Sequence, residues 1–103
     1  MLTSIFGNTI TFSFNTPVSE TGFLSENFDL TKKSAYATIG IQDLLKFKND
    51  IQLQFILSKI FSAINETAKI QKLDYFQNIN INGNDVWCID DGNTICLMLK
   101  EEY

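Results

Sequence analysis

Histidine and arginine are both missing from this 103-residue chain, and all eight basic residues are Lys. The first absence removes the commonest proton shuttle and metal ligand near neutral pH, and the second removes the planar fork that grips phosphate at two points. Cysteine is limited to Cys88 and Cys96, with no CxxC spacing and too few ligands for a structural zinc site. The two thiols read as small hydrophobic strand residues. Proline occurs once, at Pro17, and the five glycines form no phosphate-cradling loop. No apolar run reaches the roughly 18 residues of a membrane span, and the start lacks the basic and then apolar pattern of a secretory signal, so a cytoplasmic location is expected.

These absences narrow the chemistry. A nucleophile at Cys88 or Cys96 has no His to activate it, and Lys or carboxylate bases have poorly matched pKa values. The acid pairs Asp90-Asp91 and Glu101-Glu102 are sequence neighbours, which on a strand point to opposite faces, and Asp91 belongs to a turn. Asn78, Asn80 and Asn82 before Gly83 echo a calcium loop, yet the first position is Asn and the twelfth is Ile89 where a bidentate Glu is needed. No catalytic residue, metal or cofactor is expected.

What is present is bulk. The chain is 45% hydrophobic and 13% aromatic, with nine Phe, three Tyr and one Trp, enough to fill one core in a single domain over 1–103. The formal net charge is −4, and it is unevenly placed. Residues 1–48 balance four acids with four Lys, residues 49–72 carry two acids and three Lys, and residues 73–103 carry six acids against Lys100 alone. Such a balance repels nucleic acid and anionic membranes and favours a basic partner.

Ile10, Phe12 and Phe14 alternate with Thr9, Thr11 and Ser13 as in a half-buried strand, with Gly7-Asn8 as the turn before it. Residues 15–34 lack periodicity and read as a long connection pinned by Phe23, Leu24, Phe28 and Leu30. Ser34 to Ile39 suits a second strand, and Ile41, Leu44, Leu45 and Phe47 a short helix. Leu53, Ile56, Leu57, Ile60, Phe61, Ile64 and Ala68 then share one face at 100° per residue, predicting a long amphipathic helix over about 50–72. Asn49 suits its N-cap, with Gln52 in the capping-box position and Asp50 at the positive end of the dipole.

Three short runs follow, 74–81, 86–90 and 94–99, separated by the hairpin signals Asn82-Gly83 and Asp91-Gly92. With two-residue loops there, Ile79 pairs with Val86 and Cys88 with Ile95, whereas a three-residue loop at 91–93 sets Cys88 against Cys96. One face of this meander carries Tyr75, Ile79, Val86, Cys88, Ile95, Leu97 and Leu99 and is expected against the helix. The other carries Phe76, Asn78, Asn80, Trp87, Ile89, Thr94, Cys96 and Met98. The expected fold is α+β: an antiparallel sheet of about four strands, with one long helix and a short helix packed on one face.

Trp87 and Phe76 on the second face, ringed by Asp74, Asp85 and Asp91, have the make-up of an interface core with an acidic rim. The alternative is that the first strand or the 15–34 connection covers them as a second core layer. The candidate partner-binding residues are Asp85, Trp87, Asp90, Asp91 and Phe76.

The words Gly22-Phe23-Leu24-Ser25, Phe28-Asp29-Leu30, Asp43-Leu44-Leu45 and Lys48-Asn49-Asp50 lead into the long helix. With Asp74-Tyr75-Phe76, and the ending from Val86-Trp87 through Asp90-Asp91-Gly92 to Leu97-Met98-Leu99-Lys100-Glu101-Glu102-Tyr103, they resemble immunity proteins of bacterial contact-dependent growth inhibition. The resemblance implies a cytosolic, non-catalytic protein that binds a cognate toxin nuclease domain in a 1:1 complex and occludes its basic active site. The net negative charge sets the further expectation that the chain itself binds neither nucleic acid nor membrane. The other reading is a phage or mobile-element inhibitor of a host nucleic-acid enzyme, of anti-restriction or anti-CRISPR type, acidic for the same reason. A small enzyme or ligand carrier would instead require convergent polar groups between helix and sheet, where the pattern is apolar.

Overall fold

A computed structural model of the chain describes residues 2–16 and 27–102. Six strands and two helices follow in the order β1 (Leu2–Ile5), β2 (Asn8–Ser13), β3 (Ser34–Ala37), α1 (Ile39–Leu44), α2 (Asp50–Ala68), β4 (Phe76–Ile81), β5 (Asn84–Asp90) and β6 (Thr94–Leu99), and a 3₁₀ turn spans Lys100–Glu102. The class is α+β, as the periodicities predict. The sheet is larger than the four strands expected and is mixed. Its order is β1-β2-β4-β5-β6-β3, with β3 parallel to β6 and every other pair antiparallel.

The two unforeseen features have local causes. Phe6 and Gly7 both take positive φ, +49° and +83°, the backbone of a two-residue hairpin turn, so Leu2–Ile5 folds back along β2 as an extra edge strand. The β3-to-β6 connection contains both helices and the β4–β5 hairpin, ample length for a parallel crossover.

Helix α2 follows its apolar stripe. Leu53, Ile56, Leu57, Ile60, Phe61 and Ile64 are all buried, each contributing roughly 1.5–3 kcal/mol by leaving water. Asn49 caps the start, its side chain accepting from the Gln52 N–H at 3.0 Å. Gln52 reaches back one residue further than a capping box requires and accepts from the Lys48 N–H at 3.0 Å. The helix ends at Ala68, four residues before the expected limit.

The stripe packs on the inner sheet face, where Ile10, Phe12, Ile79, Ile81, Val86, Cys88, Ile95 and Leu97 join it, with Ile41 of α1 and Phe28, in one cluster. Polar side chains close both ends of this face. At one end the buried Asn8 donates to the carbonyls of Ile5 and Lys46 and accepts from the Lys46 N–H and the Asn82 amide. At the other, the buried Gln77 side chain accepts from the Asn15 N–H at 2.7 Å and donates to the Asn15 and Asp74 carbonyls. Backbone groups of two connections are thereby satisfied without water.

The β4–β5 turn at Asn82-Gly83 has both φ values positive, and Ile79 pairs with Val86 as expected. The β5–β6 register differs from both expected alternatives. Cys88 lies opposite Leu97, and Asp90 opposite Ile95, because the loop residues are Gly92-Asn93. Gly92 takes φ +100°, and Asp91 accepts from the N–H groups of Asn93 and Thr94, which moves the turn one residue along the chain. The shift from a Cys88–Ile95 pairing is two residues, so every side chain keeps its face. Tyr75, expected inward, precedes β4 and is 54% exposed. Of the predicted apolar pins, Phe28 is buried and Leu30 packs partly buried against the core, while Phe23 and Leu24 lie outside the described residues.

Candidate functional site

The strand registers build the outer sheet face from transverse rows. Phe76, Ile89, Cys96 and Tyr36 lie side by side across β4, β5, β6 and β3. The next row runs Ser13, Asn78, Trp87 and Met98, and the third Thr11, Asn80 and Asp85. Phe76, Trp87, Ile89 and Met98 are half-buried, and none of them belongs to the core cluster packed by the helices.

Trp87 and Phe76 are diagonal neighbours and pack edge to face, with ring centroids 4.7 Å apart and planes at 67°. Tyr75 extends the aromatic group, 6.5 Å from Phe76 at 70°. Edge-to-face contacts of this kind fix rings in place beyond their area burial, so the pair presents a rigid apolar surface.

At the parallel edge Tyr36 sits opposite Cys96 and is 51% exposed. The hydrogen bond between the Tyr36 hydroxyl and the Cys96 thiol raises the tyrosine pKa, and the thiol's charge and burial act the same way. Burial raises the Cys96 pKa, against the lowering effect of the Tyr36 hydrogen bond. Neither group is poised as a nucleophile. Cys88 faces the core, where burial pushes its pKa far above the ordinary thiol value. Adjacent strands thus hold the two thiols on opposite faces, and both are free.

The acidic candidates separate. Asp85 is exposed on the outer face beside the aromatic rows, with the Asn80 amide 3.5 Å from its carboxylate. Asp91 is exposed at the hairpin tip, and backbone N–H groups of Thr94 and Asn93 hold its pKa below the usual carboxylate range. Asp90 is buried, because the alternation that turns Val86 and Cys88 inward turns Asp90 inward too. Its Oδ2 accepts from the Phe28 N–H and the Lys33 ammonium, both at 2.7 Å, and its Oδ1 accepts from the Gly92 N–H at 2.8 Å. Asp90 is therefore a clamp between β5 and the segment entering β3, not a surface contact. Pairing with Lys33 also removes one of the six acids from the charge that the C-terminal third shows to solvent.

Sequence reasoning grouped Phe76, Trp87, Ile89, Cys96 and Met98 on one face but left out Tyr36. The signal was present in Ser34-Ala35-Tyr36-Ala37, where one large residue alternates with small ones, but the parallel pairing that brings it beside Cys96 is not encoded locally. A groove of about 430 Å³ between β3 and α2 is lined by Ala35, Ala37, Leu57 and Phe61 with Tyr36 and Gln54, and no Asp, Glu, Lys or Cys lines it. Among the described residues no cluster of three or more His, Cys, Asp or Glu is placed to hold a metal ion, and no helix is long and apolar enough to cross a membrane. Comparisons with protein-family models, curated proteins and solved structures yield no match to this chain.

Proposed function

We propose that the chain is a non-catalytic inhibitor that binds a basic protein through its outer sheet face, and that its partner is the nuclease domain of a contact-dependent growth inhibition toxin. The observation that carries this reading is the composition of that face: the Phe76–Trp87 pair, Ile89 and Met98 form its centre, the exposed Tyr36 extends it to the β3 edge, and Asp85 and Asp91 lie at its margins. Aromatic anchors at the centre and charge at the rim are the arrangement by which protein interfaces exclude water and select a partner of opposite charge. A nuclease cleft must be electropositive to hold phosphate, so an acidic surface competes for the same ground. The absence of His and Arg from the sequence fits blocking better than turnover. The words shared with immunity proteins narrow the partner to a toxin.

The test is co-expression with the product of the adjacent reading frame, which this proposal expects to be a toxin nuclease. A 1:1 complex by size-exclusion chromatography, with loss of nuclease activity, is expected. An unbound, fully active toxin would reject the assignment. Binding to a host restriction or CRISPR enzyme would replace it with the mobile-element reading.

A further inference from the structure

A second surface, on the helix side of the sheet, has the opposite charge. Phe6 at the β1–β2 turn, Phe47 in the α1–α2 connection, and Phe55 and Ile51 on α2 are 51%, 38%, 46% and 81% exposed. They are grouped. The Phe6 and Phe55 rings meet edge to face at 5.6 Å, and Phe6 and Phe47 line one cleft of about 580 Å³ with Lys46, Lys48 and Gln52. Lys59 lies 5.2 Å from the Phe55 ring centroid, placing a third ammonium on the same surface. Within residues 46–59 these three Lys face one acid, Asp50, in a chain whose net charge is −4.

Phe6 is the telling residue. Its φ of +49° is a conformation that bulky side chains avoid and that Asn or Gly adopts easily. Gly7 already supplies one positive φ of this turn, and the β4–β5 turn uses Asn82 where this one uses Phe6. The contact with Phe55 covers part of the ring, but half of it stays open to solvent and turn formation opposes it, so intramolecular packing accounts for Phe at this position only in part. Strain held at an exposed aromatic points to a contact made outside the chain.

We propose that this Phe6–Phe47–Phe55 surface docks an acidic peptide segment of a partner protein, one that carries a Phe, Trp or Leu anchor. The cleft between Phe6 and Phe47 receives the anchor. Lys46, Lys48 and Lys59 pair with flanking Asp or Glu, and the charge complementarity selects against basic segments. A concave cleft suits an inserted side chain better than a flat lipid surface, and a net acidic chain is a poor ligand for nucleic acid. The surface lies across the sheet from Trp87, so this docking is independent of the toxin-binding reading.

The experiment is selection of a displayed random twelve-residue peptide library on the full chain, followed by affinity measurement on Phe6→Asn and Lys48→Glu variants. Vesicles rich in phosphatidylserine and a single-stranded oligonucleotide serve as parallel probes. Enriched peptides should combine Asp or Glu with Phe, Trp or Leu. Both variants should bind them about tenfold or more weakly while keeping the parent's circular-dichroism spectrum, because Asn suits the positive φ of the turn and Lys48 is exposed. Enrichment of basic or uncharged peptides, no enrichment, or equal binding by both variants would overturn the proposal. Vesicle or oligonucleotide binding that Lys48→Glu abolishes would overturn it in favour of that ligand.

Discussion

Lys33 Nζ lies 2.7 Å from Oδ2 of Asp90, with the lysine side chain 12% exposed and the carboxylate fully enclosed. The same carboxylate accepts from the Phe28 and Gly92 backbones, so one side chain ties the entry to β3, the end of β5 and the β5–β6 turn. Removing the carboxylate takes this acceptor from the Lys33 ammonium and from two backbone N–H groups, and breaking a buried pair typically costs about 3–5 kcal/mol. Asp90→Ala should lower stability by about that amount in urea denaturation, and Asp90→Asn should lower it too, because it keeps only one acceptor oxygen and sets an NH2 against another donor. Parent-like stability in Asp90→Ala would remove the clamp from the account.

Ile60 is 1% exposed at the middle of the α2 stripe. Ile60→Asp places an unpaired charge there and should cost several kcal/mol, roughly the whole stability of an ordinary domain. Circular dichroism melting should show a variant unfolded at or near room temperature. A melt like the parent's would mean that α2 does not face the sheet.

Burial raises the pKa of both thiols, most strongly that of Cys88. A raised pKa leaves less thiolate, and thiolate is the reacting form. At pH 8 a disulfide reagent should label Cys96 slowly and Cys88 only on unfolding. A Cys88→Ala, Cys96→Ala protein should retain partner inhibition with a modest stability loss. Rapid native labelling of Cys88 would contradict its place in the core.

Asp29, Asp91 and Glu102 all have pKa values lowered chiefly by hydrogen bonds, from Thr31, from the Thr94 and Asn93 backbones, and from Thr38 and Leu99 respectively. Their protons bind more readily in the unfolded chain, so the stability they add is complete above the ordinary carboxylate range. It is lost as pH falls through their lowered values. Solvent exposure keeps the effect small. The denaturation midpoint should be flat from neutral pH to about 5 and decline below about 4, and Asp29→Asn, Asp91→Asn and Glu102→Gln together should make the decline shallower. An unchanged acid profile in the triple variant would show that these contacts contribute nothing.

The residues differ in how plainly their places could be read from sequence. Six stripe positions of α2 are buried because a 3.6-residue period is a property of the segment itself. The outer-face grouping of Phe76, Trp87 and Met98 survived an incorrect register, since a two-residue slip preserves side-chain direction. Strand β1 was missed because its turn is Phe6-Gly7, in which a bulky residue takes the place that Asn fills at Asn82-Gly83. The parallel β3–β6 pair joins segments about 60 residues apart, and no local pattern encodes such a contact. The charge of Asp90 suggests a surface acid, whereas the strand parity it shares with Cys88 places it inside.

In the proposed complex the outer face centred on Trp87 and Phe76 occupies a basic toxin cleft. Surface-plasmon kinetics of folded variants against the cognate toxin domain test it most directly. Trp87→Ala should cost about 2 kcal/mol or more of binding, chiefly through faster dissociation, while Asp85→Asn with Asp91→Asn should slow association and flatten its salt dependence. Wild-type rates in both folded variants would place the toxin interface away from Trp87, Asp85 and Asp91.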